Sequence, residues 1–328
     1  MTVMNVRRLI PTAAAAGAVT LGLMAVSGCS SSNAADGSRG GKLKVVASFY
    51  PMQYLAEEIG GDHVSVSTLT KPGVEPHELE LKPRQTAELN EAGYILYLKG
   101  IQPAVDKAIA QSEAKNKVDA AGITKLEHHG TEGGHSHEGE EAGHDEHGHT
   151  GEGEAGADPH IWLDPVKYAE VAKGVGKSLE KADPDHAADY RKNTDALVTK
   201  LDGLNGTYQQ GLKNTATKTF ITTHSAFGYL AERYGLDQEG IAGIDPESEP
   251  SPARIKDLQA IAKKDKVTTV FFETLASDKT AKTLAKDAGL KTDVLDPLEG
   301  ITDKSKGADY IEVMQSNLAA LQKALGAK

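Results

Sequence analysis

The chain predicts an α/β fold built from parallel sheets in two lobes, and three observations carry that prediction. Short apolar strands alternate with helical stretches along the first third. The same alternation resumes over the last third. Between them a long helical stretch, roughly 185–212, spaces Ala188, Leu197, Leu201, Leu204 and Tyr208 mostly at helical intervals. Strands alternating with helices form βαβ units, and βαβ units build parallel sheets. The expected architecture is two lobes, each a parallel four-stranded sheet flanked by helices, joined by a long rigid backbone helix.

The elements follow in order. Leu43 to Ser48 is a short apolar strand, and Pro51 opens a helix to Ile59 that Gly60-Gly61 stops; proline is tolerated in a first helical turn because its missing N–H has no partner there. Val64 to Leu69 alternates strictly and reads as a second strand. A Pro/Gly loop, 71–78, follows. Then come a helix from Pro83 to Ala92, a strand from Tyr94 to Leu98 and a helix from Pro103 to Ala110. Pro165 to Leu179 is helical. Beyond the long stretch, Thr219–Thr222 is a strand, Ser225–Tyr234 a helix, and Leu236–Ile244 holds a strand. Pro252–Lys263 and Ala276–Ala288 are helices around a strand at Val267–Phe272. Lys291–Leu295 is the last strand and Tyr310–Leu325 the closing helix. Gly203 and Gly206 weaken the end of the long helix.

The chain has 328 residues and a formal net charge of −11. That length suits about two domains. An acidic chain does not suit nucleic acid, which is held through basic contacts to phosphate. One cysteine, Cys29, excludes an intramolecular disulfide and any thiolate zinc site. A transition metal must then be held by histidine and carboxylate.

The N-terminus reads as a secretory signal over 1–28: Arg7 and Arg8, an apolar stretch from Leu9 to Val26, then Val26-Ser27-Gly28-Cys29. Those last four residues resemble the lipobox of bacterial lipoproteins, which implies cleavage before Cys29 and lipid on its sulfur. Residues 29–42 read as a Gly/Ser-rich tether. The lobes are expected at 43–183 and 214–328, with the interlobe helix at 184–213.

From 127 to 156 periodicity disappears, and the segment carries His128, His129, His135, His137, His144, His147 and His149 among acids and glycines. It lacks the apolar residues to fold alone. Its composition binds divalent ions weakly, although a solvated linker has the same look.

In parallel α/β sheets, ligands bind beyond the carboxyl ends of the strands. His77 lies in the loop after strand 64–69, His224 just past strand 219–222, and Asp296 directly after strand 291–295. His160 sits in Asp158-Pro159-His160-Ile161-Trp162-Leu163-Asp164-Pro165, a turn pinned by two Asp-Pro pairs and the chain's one Trp. Each has a plainer role open to it. His77 can be an exposed loop residue, His160 a core histidine, His224 the flank of a helix cap, and Asp296 before Pro297 a turn former. Taken together, three imidazoles and one carboxylate suit a four-coordinate zinc ion, whereas manganese leans toward oxygen donors. Glu75, Glu78 and Glu273 are further candidates, to contribute a donor or to orient the ligands.

The same residues carry a family resemblance. Pro72-Gly73 with Glu75-Pro76-His77, the 158–165 run, His224-Ser225-Ala226-Phe227-Gly228-Tyr229-Leu230, Glu249-Pro250-Ser251-Pro252 and Leu295-Asp296-Pro297-Leu298 resemble the metal-binding solute-binding lipoproteins of ABC importers, the zinc/manganese cluster of ZnuA, TroA and AztC types. The resemblance covers nearly all of the mature chain. It implies two α/β lobes on a backbone helix with one high-affinity metal between them, on His77, His160, His224 and Asp296. Manganese members commonly carry Glu at the third position, so His224 implies zinc. A His-rich acidic loop is typical of zinc members, and additional weak ions there are an expectation. The chain departs from some zinc relatives in lacking a C-lobe disulfide.

The function implied is zinc capture outside the cytoplasm by a lipid-anchored monomer, with delivery to an ABC permease and with loading by a metallochaperone as an open possibility. A manganese receptor and a surface adhesin share the fold. A secreted zinc hydrolase is the rival of another class; it needs an open coordination position and a general base, and the chain lacks H-E-x-x-H.

Overall fold

The computed structural model describes residues 41–129 and 157–328. The signal segment, Cys29, most of the tether and the loop histidines His135, His137, His144, His147 and His149 lie outside the described residues.

The first lobe runs β1 (Leu43–Ala47), α1 (Tyr50–Gly60), β2 (Val64–Thr68), α2 (Pro83–Glu91), β3 (Tyr94–Tyr97), α3 (Pro103–Gln111) and β4 (Lys117–Asp119). Its strands pair in parallel in the order β2-β1-β3-β4. After α4 (Pro165–Ala182) and α5 (Ala187–Gly211), the second lobe runs β5 (Thr219–Thr222), α6 (Gly228–Tyr234), β6 (Asp237–Gly240), α7 (Pro252–Lys264), β7 (Thr269–Phe272), α8 (Lys279–Ala288), β8 (Lys291–Val294) and α9 (Tyr310–Leu325). Its parallel order, β6-β5-β7-β8, repeats the first. In each sheet the order reverses direction beside the first strand, which opens a crevice at the carboxyl ends.

The strands separate two packed layers. In β1, Val45 and Ala47 join a large central core while Val46 joins a smaller outer cluster. In β5, Phe220 faces the central core and Ile221 the outer one. This is the period-2 alternation of a sheet covered on both faces. The central core is continuous across both lobes, from Phe49 and Trp162 through Tyr168 and Tyr208 to Phe271 and Leu321.

The expected long helix between the lobes is α5, and α4 packs beside it. Asp164 caps α4 by accepting the Val166 N–H at 2.9 Å, and a short turn at Pro184–His186 leads into α5. The two helices pack closely as a hairpin. At Gly176 a Cβ would stand 2.2 Å from Thr194 Oγ1, so a larger residue would have to push the Thr194 side chain aside. The start of α5 lies on the first lobe, where Asn193 Nδ2 donates to the Ile59 carbonyl at 3.0 Å. Its end lies on the second, where Tyr208 donates to the Met314 carbonyl at 2.7 Å.

Some elements differ from expectation. β4 is only Lys-Val-Asp, an edge strand with one apolar residue. α6 begins at Gly228 rather than at Ser225, because the Ser225 N–H and hydroxyl are bonded to the Gly243 and Ala242 carbonyls at 2.8 and 3.1 Å. α8 likewise begins at Lys279, three residues late.

Candidate metal centre

Two histidines of the centre, His160 and His224, are aimed by carboxylates. The His160 N–H and its Nδ1–H both donate to Asp158 Oδ1, at 2.9 and 2.7 Å. His224 Nδ1 donates to Glu273 Oε1 at 2.9 Å, and Thr222 Oγ1 holds the His224 carbonyl at 2.7 Å. In the 71–78 loop, Glu75 accepts the His77 and Glu78 N–H groups at 3.1 and 3.3 Å. An imidazole that donates through Nδ1 presents Nε2 as a lone pair, the orientation metal-binding histidines are commonly given.

The Nε2 atoms of His77, His160 and His224 lie 3.4, 3.3 and 3.2 Å from a single oxygen, Glu299 Oε1. The four ligand atoms all fall within 4.8 Å of one another. His160, His224 and Glu299 are buried, and the His77 side chain is 8% exposed, so the site opens on the His77 side. His160 Nε2 and Glu299 Oε2 are buried without a hydrogen-bond partner. Buried polar atoms without partners are costly, and a dication among these donors would satisfy them. Three nitrogens and a carboxylate oxygen are a zinc donor set.

The electrostatics agree. Burial opposes the charge of Glu299, but His224 first and then the other two imidazoles facing it outweigh burial and hold the carboxyl well below its usual range. Burial likewise opposes a charged His224, yet Glu273 and Glu299 keep its proton on to well above the ordinary imidazole value. His160 is raised in the same way, burial being overcome by Asp158 and Glu299. Glu75, at the mouth, is pushed up to about 7 by burial and then by Glu299.

Asp296 is not in this cluster, which corrects the expectation for the fourth position. Its Oδ1 accepts the Leu298 N–H at 2.9 Å, and its Oδ2 accepts Ser305 and Thr274 hydroxyls at 2.9 and 3.3 Å. Asn317 bonds both its N–H and its carbonyl, at 2.9 and 2.7 Å. An aspartate at a strand end readily bonds its own backbone two residues on, and here that turn aims Glu299 at the histidines. Leu298, inside the turn, has φ 59 and is fully buried. The sequence signal for Glu299 was the acid three residues past Asp296, on the same turn.

Glu273 and Glu75 stand behind His224 and His77, whereas Glu78 is exposed and contributes only its N–H to Glu75. Of the loop histidines, His128 is exposed; His129 packs on Asp158.

The His160 turn is fastened to the second lobe. Trp162 Nε1 donates to the Pro297 carbonyl at 2.7 Å, and Tyr310 donates to the Trp162 carbonyl at 2.5 Å. Tyr229 donates to the Asp158 carbonyl at 2.7 Å, and Arg233 reaches Asp164 at 2.7 Å.

Comparison with known proteins agrees with this geometry. The family model described as zinc-uptake complex component A, periplasmic (ZnuA) matches residues 45–324. The zinc-binding lipoprotein AdcA of Streptococcus pneumoniae is 38% identical over 299 residues, covering 90% of this chain and 57% of the relative. This chain thus spans little more than half the length of that relative. The high-affinity zinc uptake system protein ZnuA of Bacillus subtilis is 38% identical over 309 residues, 92% of this chain and 94% of the relative. Among solved structures, the laminin binding protein Lmb of Streptococcus agalactiae, bifunctional with adhesin and metal transporting activity, superposes with TM-score 0.74 at 32% identity, covering 87% of this chain and 99% of that one. With a match over most of its length and relatives well above 30% identity, the chain belongs to the ZnuA family of zinc-uptake components.

Proposed function

We propose that this chain captures Zn²⁺ outside the cytoplasm and delivers it to an ABC permease. The observation that carries the reading is the convergence of His77, His160, His224 and Glu299 in a buried crevice between the lobes. Four protein donors close the coordination shell, which favours holding an ion over activating a water on it. The ion enters past His77, the least buried ligand, loses its water and displaces protons from the imidazoles. Asp158 and Glu273 supply negative charge behind the two buried imidazoles and strengthen them as donors. Release to the permease takes place through the 71–78 loop, which among the described residues is the ligand-bearing segment without buried side-chain bonds of the kind that hold the His160 turn.

The proposal extends to the chain's setting. Cys29 carries lipid and 29–42 is the tether, so the protein is held at the outer face of a membrane and acts as a monomer. The lobes are bounded at 43–183 and 214–328. The loop histidines gather ions near the crevice.

Metal analysis and competitive titration of Zn²⁺ against Mn²⁺ test the reading, using the chain from residue 41 onward. One tightly held zinc, preferred over manganese and lost in His224→Ala, is expected. Manganese preference, or zinc binding unchanged in His224→Ala, overturns it.

A further inference from the structure

A second group of donors stands apart from the first. His129 Nε2 lies 2.9 Å from Glu232 Oε2 and 3.9 Å from Glu127 Oε2, and all three ligand atoms fall within 4.8 Å of one another. We propose that Glu127, His129 and Glu232 form a second site for a divalent metal ion of the zinc class, at the point where the chain leaves at 129 and returns at 157.

The orientation of the His129 ring supports this. Its Nδ1 lies 2.9 Å from Asp158 Oδ2, which turns Nε2 toward Glu127 and Glu232. A lone-pair nitrogen facing two carboxylates is repulsive unless a proton or a cation lies between them. Asp158 thus aims two imidazoles: Oδ1 orients His160 toward the first centre, and Oδ2 orients His129 toward the second.

The backbone around the group is built to hold it. Asp158 N–H donates to the Glu127 carbonyl at 2.8 Å, which ties the two ends of the 130–156 segment together beside the site. Tyr229 accepts the Glu127 N–H at 2.8 Å, and its ring meets the His129 ring at 4.4 Å between centroids. A Cβ on Gly228 would stand 2.3 Å from the His129 Cβ, so the glycine admits the histidine against α6. Lys167 occupies the other Glu127 oxygen, Oε1, at 3.0 Å and leaves Oε2 for the metal.

One nitrogen and two carboxylates leave coordination positions for water, and Glu232 is largely exposed, with 62% of its side chain accessible. The second ion is therefore held more weakly and exchanges faster than the first. A site of that kind beside the crevice suits a holding position for ions on their way to it.

The test uses the full chain with His135, His137, His144, His147 and His149 each changed to Ser, so that the loop imidazoles do not bind. With one equivalent of Zn²⁺ bound, a second is titrated by calorimetry into this protein and into its Glu232→Gln and Glu127→Gln derivatives. One further equivalent is expected, weakened about tenfold or more in both derivatives, with the first equivalent unchanged. Absence of a second equivalent overturns the proposal, as does equal affinity in all three proteins. The first equivalent is an internal control: its loss would speak against the crevice site and not against this one.

Discussion

At the residue scale, the division of labour between Asp296 and Glu299 is the sharpest claim. Glu299 offers Oε1 to three imidazoles, whereas both Asp296 oxygens are committed to Leu298, Ser305 and Thr274. Glu299→Gln is expected to weaken zinc by about a hundredfold or more, since it removes a ligand and its charge, while outer partners typically cost ~10–100-fold. Asp296→Asn should instead lower the melting temperature, with a smaller loss of affinity. Equal affinity losses in the two variants, measured by chelator competition, would reverse the assignment. Asp158→Asn belongs with the outer partners and should cost ~10–100-fold, because an amide presents a donor as readily as an acceptor to His160 Nδ1. The three histidines were legible because each follows a strand or a rigid Asp-Pro turn, where the fold rule places ligands. The carboxylate was not. Strand-end position favours Asp296, yet the same position makes its side chain a turn former, and which of two acids on one turn is consumed by the backbone depends on the conformation of Leu298.

At the element scale, the crevice is held by the turn around Trp162. That turn belongs to the first lobe by sequence, yet it is bonded to Pro297, Tyr310, Tyr229 and Arg233 of the second. Trp162→Phe removes the donor to the Pro297 carbonyl and leaves a buried acceptor unpaired, which costs about 1–3 kcal/mol. Denaturant unfolding should show a lower midpoint with an unchanged slope, and zinc should bind more weakly because Pro297 begins the turn that carries Glu299. An unchanged midpoint would show that the lobes do not depend on this bond. Most strands and helices were legible from alternation, first-turn prolines and glycine stops. β4 was not, since an edge strand of Lys117-Val118-Asp119 has no alternation to read, and its pairing with β3 comes from tertiary context. The start of α6 was misread because Ser225 looks like a helix cap but spends its groups on the β6–α7 connection.

At the scale of the whole molecule, metal, protons and stability are linked. Burial would strip the proton from His224, but Glu273 and Glu299 hold it, so the folded value lies well above the ordinary one. A raised value stabilises the metal-free protein fully below the unfolded imidazole value, about 6.5, and that contribution is lost as pH rises through the folded value. His160 acts in the same direction. Glu299 acts in the opposite one: its depressed value adds stability above the unfolded carboxyl range, which is lost only when the medium becomes acidic enough to protonate it in the fold. Between these limits, rising pH withdraws proton-linked stability from the metal-free form. Zinc takes the same Nε2 atoms only after their protons leave, so its apparent affinity rises over the same interval. Ligand binding at a thousandfold excess over Kd adds about 4 kcal/mol, and each further tenfold gain in affinity adds about 1.4 kcal/mol. The increase in melting temperature produced by excess zinc should therefore grow steadily from pH 5.5 to pH 8. Scanning calorimetry of metal-free and zinc-loaded protein across that range measures it directly. An increment that stays flat, or is largest at the acid end, would mean that zinc does not compete with the protons of His160 and His224, and the crevice assignment would fail with it.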